Sequence, residues 1–220
     1  MISVILLMAG KGRRMNYKEN KILMEIDNKP LFMYPLNTFF SLGVEVICVI
    51  SKDDEDKIVP LLPKGVKYTY GGVERGDSVY NGLKLSTGDY VLIHDAARAL
   101  ISKECINKII SNIDNNKAIL TYLSVKDTIK EKKDDKLITL NREALVAAAT
   151  PQCASREILL NAYEKAKSDN LHFTDDIALI EKYYPNIKID LIEANPEDFK
   201  ITNQLDYQLA KLLVERNNLL

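Results

Sequence analysis

VILLMAGKGRRMNYKENK, running from Val4 to Lys21, sets an apolar run against a glycine loop and a group of cations. Val4 to Met8 has no polar residue, and the run ends at Ala9-Gly10-Lys11-Gly12, with Arg13 and Arg14 behind it and Lys21 seven residues past Arg14. A short apolar run cut off by glycine reads as a buried strand that stops at a turn. The two glycines leave room for backbone N–H groups to close round an anion, and the cations surround that space. The stretch predicts the first strand of an α/β sheet, followed by a loop that holds a polyphosphate.

The same alternation continues outward from this loop. Ser3–Met8, Glu45–Ser51, Tyr90–His94 and Ala118–Leu123 read as buried strands. Asn37–Leu42, with Pro35 opening it, Asp77–Leu85 and Lys103–Ile113 carry helical spacing between them. Strand and helix in repeated order predict a Rossmann-like, mostly parallel sheet with helices on both faces. Ligands in such sheets collect at the carboxyl ends of the strands, where the first loop and the segment after Ile93 lie. From residue 124 the pattern changes: SVKDTIKEKKDDKLITLNREAL alternates polar and apolar residues on both sides of Lys132-Lys133-Asp134-Asp135. This predicts a projecting β-hairpin arm at about residues 124–145. Helices follow at Ser155–Lys167 and Asp175–Tyr183, the latter with Thr174 as its N-cap, then a strand at Lys188–Ile192 and a closing helix at Gln204–Glu215. At 220 residues without repeats or low-complexity linkers, the chain reads as a single domain, 1–220, with an arm.

Thirty Lys and Arg against 31 Asp and Glu leave a formal charge of −1, which argues against nonspecific nucleic-acid binding. Cys48, Cys105 and Cys153 are odd in number and widely spaced, matching neither a disulfide framework nor a zinc site. The first residues carry no basic leader, and Val4–Ala9 is too short to span a bilayer. The expectation is a soluble cytoplasmic protein with no membrane partner.

Three chemistries compete for the first loop. A nucleotide-hydrolysing P-loop needs Ser or Thr after Gly-Lys, where Gly12 stands; a dinucleotide fingerprint needs a third glycine where Met15 stands. What remains is a loop whose amides wrap a nucleoside triphosphate, with Arg14 and Lys21 supplying charge, against a plain tight turn with incidental basic residues. Adjacent side chains diverge, so Arg13, like Lys11, stays open between ligand contact and solvent. Two further segments belong to the same search. In Gly71–Val79, GGVERGDSV, glycines allow backbone approach to a flat ligand and Ser78 is placed to bond a base; a turn and N-cap explains it equally well. In His94–Arg98, HDAAR, Asp95 ends a strand where it can meet ribose hydroxyls or a magnesium ion, or close the strand as an ion pair with Arg98. His94 reads as a structural histidine.

MAGKGRRM, Lys21, GGVERGDSV, HDAAR, Lys126-Asp127-Thr128, Arg142, Ala149-Thr150-Pro151-Gln152, Phe173-Thr174-Asp175-Asp176 and Phe199-Lys200-Ile201-Thr202 occur in one order across residues 3–206. The set resembles the 2-C-methyl-D-erythritol 4-phosphate cytidylyltransferase family of the non-mevalonate isoprenoid pathway. The resemblance implies CTP and a sugar-alcohol phosphate as substrates, Mg2+ as cofactor, and attack on the α-phosphorus of CTP with release of pyrophosphate. It assigns Arg14 and Lys21 to transition-state stabilisation, and Arg142 and Lys200 to the attacking phosphate. Ala9, Gly10, Gly12, Gly71 and Ser78 fall at the nucleotide pocket. Asp95 falls at ribose and metal, and Arg98, Thr128, Thr150 and Thr174 at substrate contacts. It also implies a homodimer clasped by the arm, with Thr128 and Arg142 serving the neighbour's site. The chain departs from the family pattern at Asn20 and Ala99, where proline is usual, at Ile22, where glutamine is usual, and at Ile177, where a small residue is usual. Two of these changes predict looser aiming of Lys21 and Arg98. A related ribitol-5-phosphate cytidylyltransferase would share the nucleotide loop. A catalytically idle nucleotide-binding regulator is the other alternative, disfavoured because a pure binder has little use for Arg14, Lys21, Arg142 and Lys200 together.

Overall fold

The structure is a computed structural model that describes residues 1–10 and 20–217. Its centre is a seven-stranded sheet in the order β11-β7-β10-β6-β1-β4-β5. In chain order the elements are β1 (Ile2–Leu7), a two-residue pair β2 (Glu25–Ile26) and β3 (Lys29–Pro30), α1 (Met33–Phe40), β4 (Glu45–Ile50), a single turn α2 (Glu55–Ile58) and β5 (Lys67–Tyr70). Then come α3 (Arg75–Leu85), β6 (Tyr90–Asp95), α4 (Lys103–Ser111), β7 (Lys117–Ser124), the hairpin strands β8 (Lys130–Lys133) and β9 (Lys136–Thr139), and β10 (Val146–Ser155). The chain closes with α5 (Arg156–Ser168), α6 (Asp176–Tyr183), β11 (Lys188–Glu193) and α7 (Gln204–Asn217).

Six of the seven strands run parallel, and β10 alone runs antiparallel, between β6 and β7. Strands covered on both faces read as nearly continuous apolar runs, and β1 shows why: Val4 and Leu6 enter one core while Ile5 enters the other. The first core holds Phe32, Leu36 and Phe39 from the α1 side and Cys105, Ile106 and Ile109 from α4. The second holds Val79 and Leu83 from α3, Leu159 and Ala162 from α5, and Leu179 and Ile180 from α6. Gly82 lets α3 lie directly on β1, since a Cβ there would stand 2.7 Å from Ile5 Cγ2. A third, smaller cluster of Met24, Ile26, Leu31, Ala99, Ile201, Ala210 and Val214 fastens α7 to the β2–β3 turn. Among the described residues no helix is long and apolar enough to cross a membrane.

Four local expectations need correction. β10 is absent from the sequence-based elements because VAAATPQCAS is rich in small residues and carries Pro151. Proline inside a sheet is tolerated at an irregularity, and the register of β10 against β7 shifts between Ala148 and Gln152. The Thr150–Pro151 peptide is cis. The N-cap of α6 is Asp175, whose carboxylate accepts from Ala178 N at 2.9 Å, and not Thr174. α1 starts at Met33, so Pro35 lies within the first turn instead of opening the helix. Asn20 does not loosen its segment. Its amide donates to Met8 O and to Asp54 Oδ2, both at 2.9 Å, and its carbonyl oxygen accepts from Ile22 N, tying the approach to Lys21 onto the end of β1.

The arm forms as read. β8 and β9 pair antiparallel, with Lys133 opposite Lys136, and the two-residue tip turns through Asp134 and Asp135 at φ 44° and 62°. Left-handed backbone at both tip positions is the signature of a primed hairpin turn, which aspartate tolerates better than branched residues.

Candidate active site

A cleft of about 750 Å³ opens at the carboxyl ends of the parallel strands. Its lining combines Ala9 and Gly10 after β1, Lys21, Gly72 and Ser78 around the start of α3, Asp95 at the end of β6, and Lys200 and Thr202. Residues from both ends of the chain therefore meet where an open α/β sheet places its ligands.

Each lining group is held from behind. Lys21 is buried, and its ammonium donates to Ile201 O at 2.7 Å, which joins the β1 loop to the 200–202 segment. Gly71 hangs from Ile50 O through its N–H at 2.9 Å, and a Cβ on it would lie 2.4 Å from Ala9 Cβ and 2.9 Å from Ser78 Oγ. Only glycine permits that approach of three segments. Ser78 Oγ accepts from Gly72 N at 3.1 Å, so it clips the loop that forms the wall.

Asp95 is the electrostatic centre, its side chain 14% exposed. Oδ2 accepts from Lys200 Nζ at 2.5 Å, and Oδ1 faces Arg75 Nε at 3.6 Å. Burial alone would raise this carboxyl, but the charges of Arg75 and Lys200 outweigh it and hold Asp95 down at about 2. Among the described residues its ion partners are these two and not Arg98. Arg98 is buried, and two of its nitrogens donate to main-chain oxygens, Nη1 to Asp198 O at 3.1 Å and Nη2 to Ala148 O at 3.4 Å. Thr150 is also buried: its Oγ1 accepts from Asp95 N at 3.1 Å and lies 3.2 Å from His94 Nδ1. Burial pushes His94 down to about 4, so the ring is neutral, bonded to Thr150 and to Arg98 O, and braces the strand end.

The remaining predicted residues lie elsewhere. Thr128 and Arg142 sit exposed on the arm, with Arg142 Nη1 donating to Lys126 O at 2.8 Å, and neither lines the cleft of its own chain. Thr174 is exposed just before α6. Gly12 and Arg14, with Lys11 and Arg13, lie outside the described residues. Two residues carried no role in the sequence reading although both stand within its motifs. Arg75 of GGVERGDSV lines the cleft, and Asp176 of FTDD is fully buried behind it. FTDD gave no sign of this, because two acids at a helix start are explained by the helix first turn, and only the burial of Asp176 makes a cation partner necessary.

Among the described residues, no three His, Cys, Asp or Glu side chains gather as a metal cage. Two carboxylate residues, Asp95 and Glu74, line the polar cleft, and such a lining suits Mg2+, which takes one or two protein oxygens and completes its shell with phosphates and water. The cleft's positive groups and backbone amides suit a polyphosphate beside it.

Comparison with known proteins points to one family. The family described as 2-C-methyl-D-erythritol 4-phosphate cytidylyltransferase matches residues 2–216. A relative of that name from Aquifex aeolicus is 37% identical over 215 residues, covering 97% of this chain and 98% of its own. One from Clostridium botulinum is 36% identical over 225 residues, covering 97% of each. The crystal structure of 4-diphosphocytidyl-2C-methyl-D-erythritol synthase from Anaerococcus prevotii superposes with a TM-score of 0.87 at 31% identity, covering 98% of both chains.

Proposed function

The chain belongs to the 2-C-methyl-D-erythritol 4-phosphate cytidylyltransferase family, and from that premise we propose how its residues divide the reaction. The enzyme joins 2-C-methyl-D-erythritol 4-phosphate to CTP. A phosphate oxygen of the alcohol attacks the α-phosphorus, the bond to the β-phosphate breaks, and pyrophosphate leaves with 4-diphosphocytidyl-2-C-methyl-D-erythritol as product. The observation that carries this reading is the meeting of Lys21, Asp95 and Lys200 in one cleft.

The attacking oxygen is already ionised at neutral pH, so the protein's task is to bring two anions together. Unit charges 4 Å apart repel by about 4 kcal/mol at an effective dielectric near 20. Lys21 and Arg14 lower that barrier on the leaving pyrophosphate, while Lys200 and Arg142 hold the attacking phosphate. The amides of Ala9, Gly10 and Gly12, with Gly71 and Ser78, surround the nucleotide, and Asp95 meets the ribose. Asp95 would also hold Mg2+, whose charge screens the triphosphate when bound. Arg98, Thr128, Thr150 and Thr174 complete the substrate side, Arg98 and Thr150 by shaping the strand end behind Asp95.

The chain works as one nucleotidyltransferase domain whose arm reaches a second copy. Leu137, 68% exposed, with Ile129, Ile138 and Val146, gives the arm and its base an apolar surface that a homodimer would cover. Cys48, Cys105 and Cys153 are buried free thiols, each pushed up to about 12 by burial, which fits a reducing cytoplasm.

Pyrophosphate release with CTP and Mg2+, run beside methylerythritol phosphate and ribitol phosphate, tests the reaction. Release with the first substrate alone supports it. Release only with ribitol phosphate moves the enzyme to polymer synthesis, and release with neither leaves an idle nucleotide binder.

A further inference from the structure

Arg75, the first residue of α3, stands between two carboxylates. Its Nη1 and Nη2 form a parallel pair of bonds to Asp176 Oδ1 and Oδ2 at 2.9 and 2.8 Å. Its Nε faces Asp95 Oδ1 at 3.6 Å, and Asp95 Oδ2 receives Lys200. Charges thus alternate along Asp176, Arg75, Asp95 and Lys200, from the interior out to the cleft. The inner end is fixed from several directions. Tyr163 of α5 donates its hydroxyl to Asp176 Oδ1, and Gln152 Oε1 of β10 accepts from Asp176 N and Ile177 N at 2.9 and 3.0 Å. α3, α5, α6 and β10 converge on one buried acid.

A buried ion pair is weak evidence for stability, because desolvation offsets most of the attraction, whereas a forked guanidinium with both ends engaged fixes direction. We infer that Arg75 is a positioning residue of the nucleotidyl-transfer site: held from behind by Asp176, it orients the Asp95 carboxylate so that one oxygen faces inward and the other holds Lys200 in the cleft. This rests on the roles proposed above for Asp95 and Lys200. Arg75 acts through Asp95, and the invariant it protects is the direction of that carboxylate before the nucleotide enters.

The test is a set of full-length variants assayed by pyrophosphate release, with thermal unfolding in parallel. Arg75→Gln alone strands Asp176 as a buried charge and is expected to lower Tm as well as kcat/KM. Arg75→Gln/Asp176→Asn removes both charges together; its Tm is expected to return to within about 3 °C of the parent, while kcat/KM for CTP stays down about 30-fold or more. Recovery of activity together with Tm would reduce the network to a structural one and overturn the inference. The second arm is a cycle with Asp95→Asn. If Arg75 works through Asp95, adding Arg75→Gln/Asp176→Asn to Asp95→Asn costs less than about threefold further; full additivity overturns the inference. Unchanged kcat/KM in Asp95→Asn itself would instead remove Asp95 from the site, and the positioning role with it. Normal activity in the Arg75→Gln/Asp176→Asn pair beside a crippled Asp95→Asn would remove only Arg75.

Discussion

Lys21 and Ile201 are 180 positions apart, yet the Lys21 ammonium donates to the Ile201 carbonyl at 2.7 Å. This bond ties Lys21 to the last segment before α7 and holds a buried cation that lines the cleft together with Lys200. Removing it separates binding from turnover. Lys21→Ala is expected to keep CTP affinity within about tenfold and to lower kcat by about 100-fold or more, as for loss of a group that stabilises charge developing in the transition state. Calorimetry and pyrophosphate release measure the two halves; near-normal kcat would end the role given to Lys21.

Arg142 lies on the arm, outside the cleft of its own chain, and this placement yields a prediction about assembly. Arg142→Ala is expected chiefly to raise KM for the alcohol phosphate. If the arm serves the partner's site, mixing Arg142→Ala with Lys21→Ala subunits restores activity, because one hybrid site then combines an intact Lys21 with an intact Arg142. If each arm serves its own site, both subunits stay crippled and mixing recovers nothing. Light scattering showing a monomer would exclude the arrangement directly.

How far the sequence carried depends on how local the physics is. β1, β4, β6 and β7 were legible because strands covered on both faces carry nearly continuous apolar runs. β10 was not, since its alanines and Pro151 satisfy packing and a register shift that only the neighbouring strands define. Asp95 and Lys200 stood out through their motifs as candidates and both line the cleft, but their mutual ion pair spans 105 positions. The Arg75–Asp176 pair, across 101 positions, had no local signal, because the acids of FTDD suit a helix first turn without a partner. Asn20 teaches the reverse lesson: a departure read as loosening instead supplies three hydrogen bonds.

Gly71 tests how tightly the nucleotide wall is closed. Because a methyl at this position would stand 2.4 Å from Ala9 Cβ, Gly71→Ala must push the β1 loop or the start of α3 outward. Overpacking of this kind costs about 1–3 kcal/mol, and the displaced Ala9 and Ser78 are expected to weaken CTP binding by about fivefold or more. Urea unfolding and CTP calorimetry check both; unchanged affinity would mean that Ala9 and Gly71 do not jointly bound the nucleotide.

Asp198 links the site's support to pH. It is fully buried, and among the described residues neither its Oδ1 nor the neighbouring Arg98 Nε has a hydrogen-bond partner. Burial raises its carboxyl from the ordinary 3.8 to about 6, against the opposing pull of the Asn195 and Ser102 amides and Arg98. Between these two values the folded state keeps a proton that the unfolded chain has released, so stability falls as pH rises through the window. Two units correspond to no more than about 3 kcal/mol, present below pH 4 and gone above pH 6. Asp198→Asn keeps an acceptor for Asn195 N but cannot titrate. Urea unfolding of parent and variant from pH 4 to pH 7 is therefore expected to show the parent losing up to about 3 kcal/mol relative to the variant. A pH-independent difference would mean that the carboxyl titrates alike in both states, with the Arg98 charge cancelling its burial.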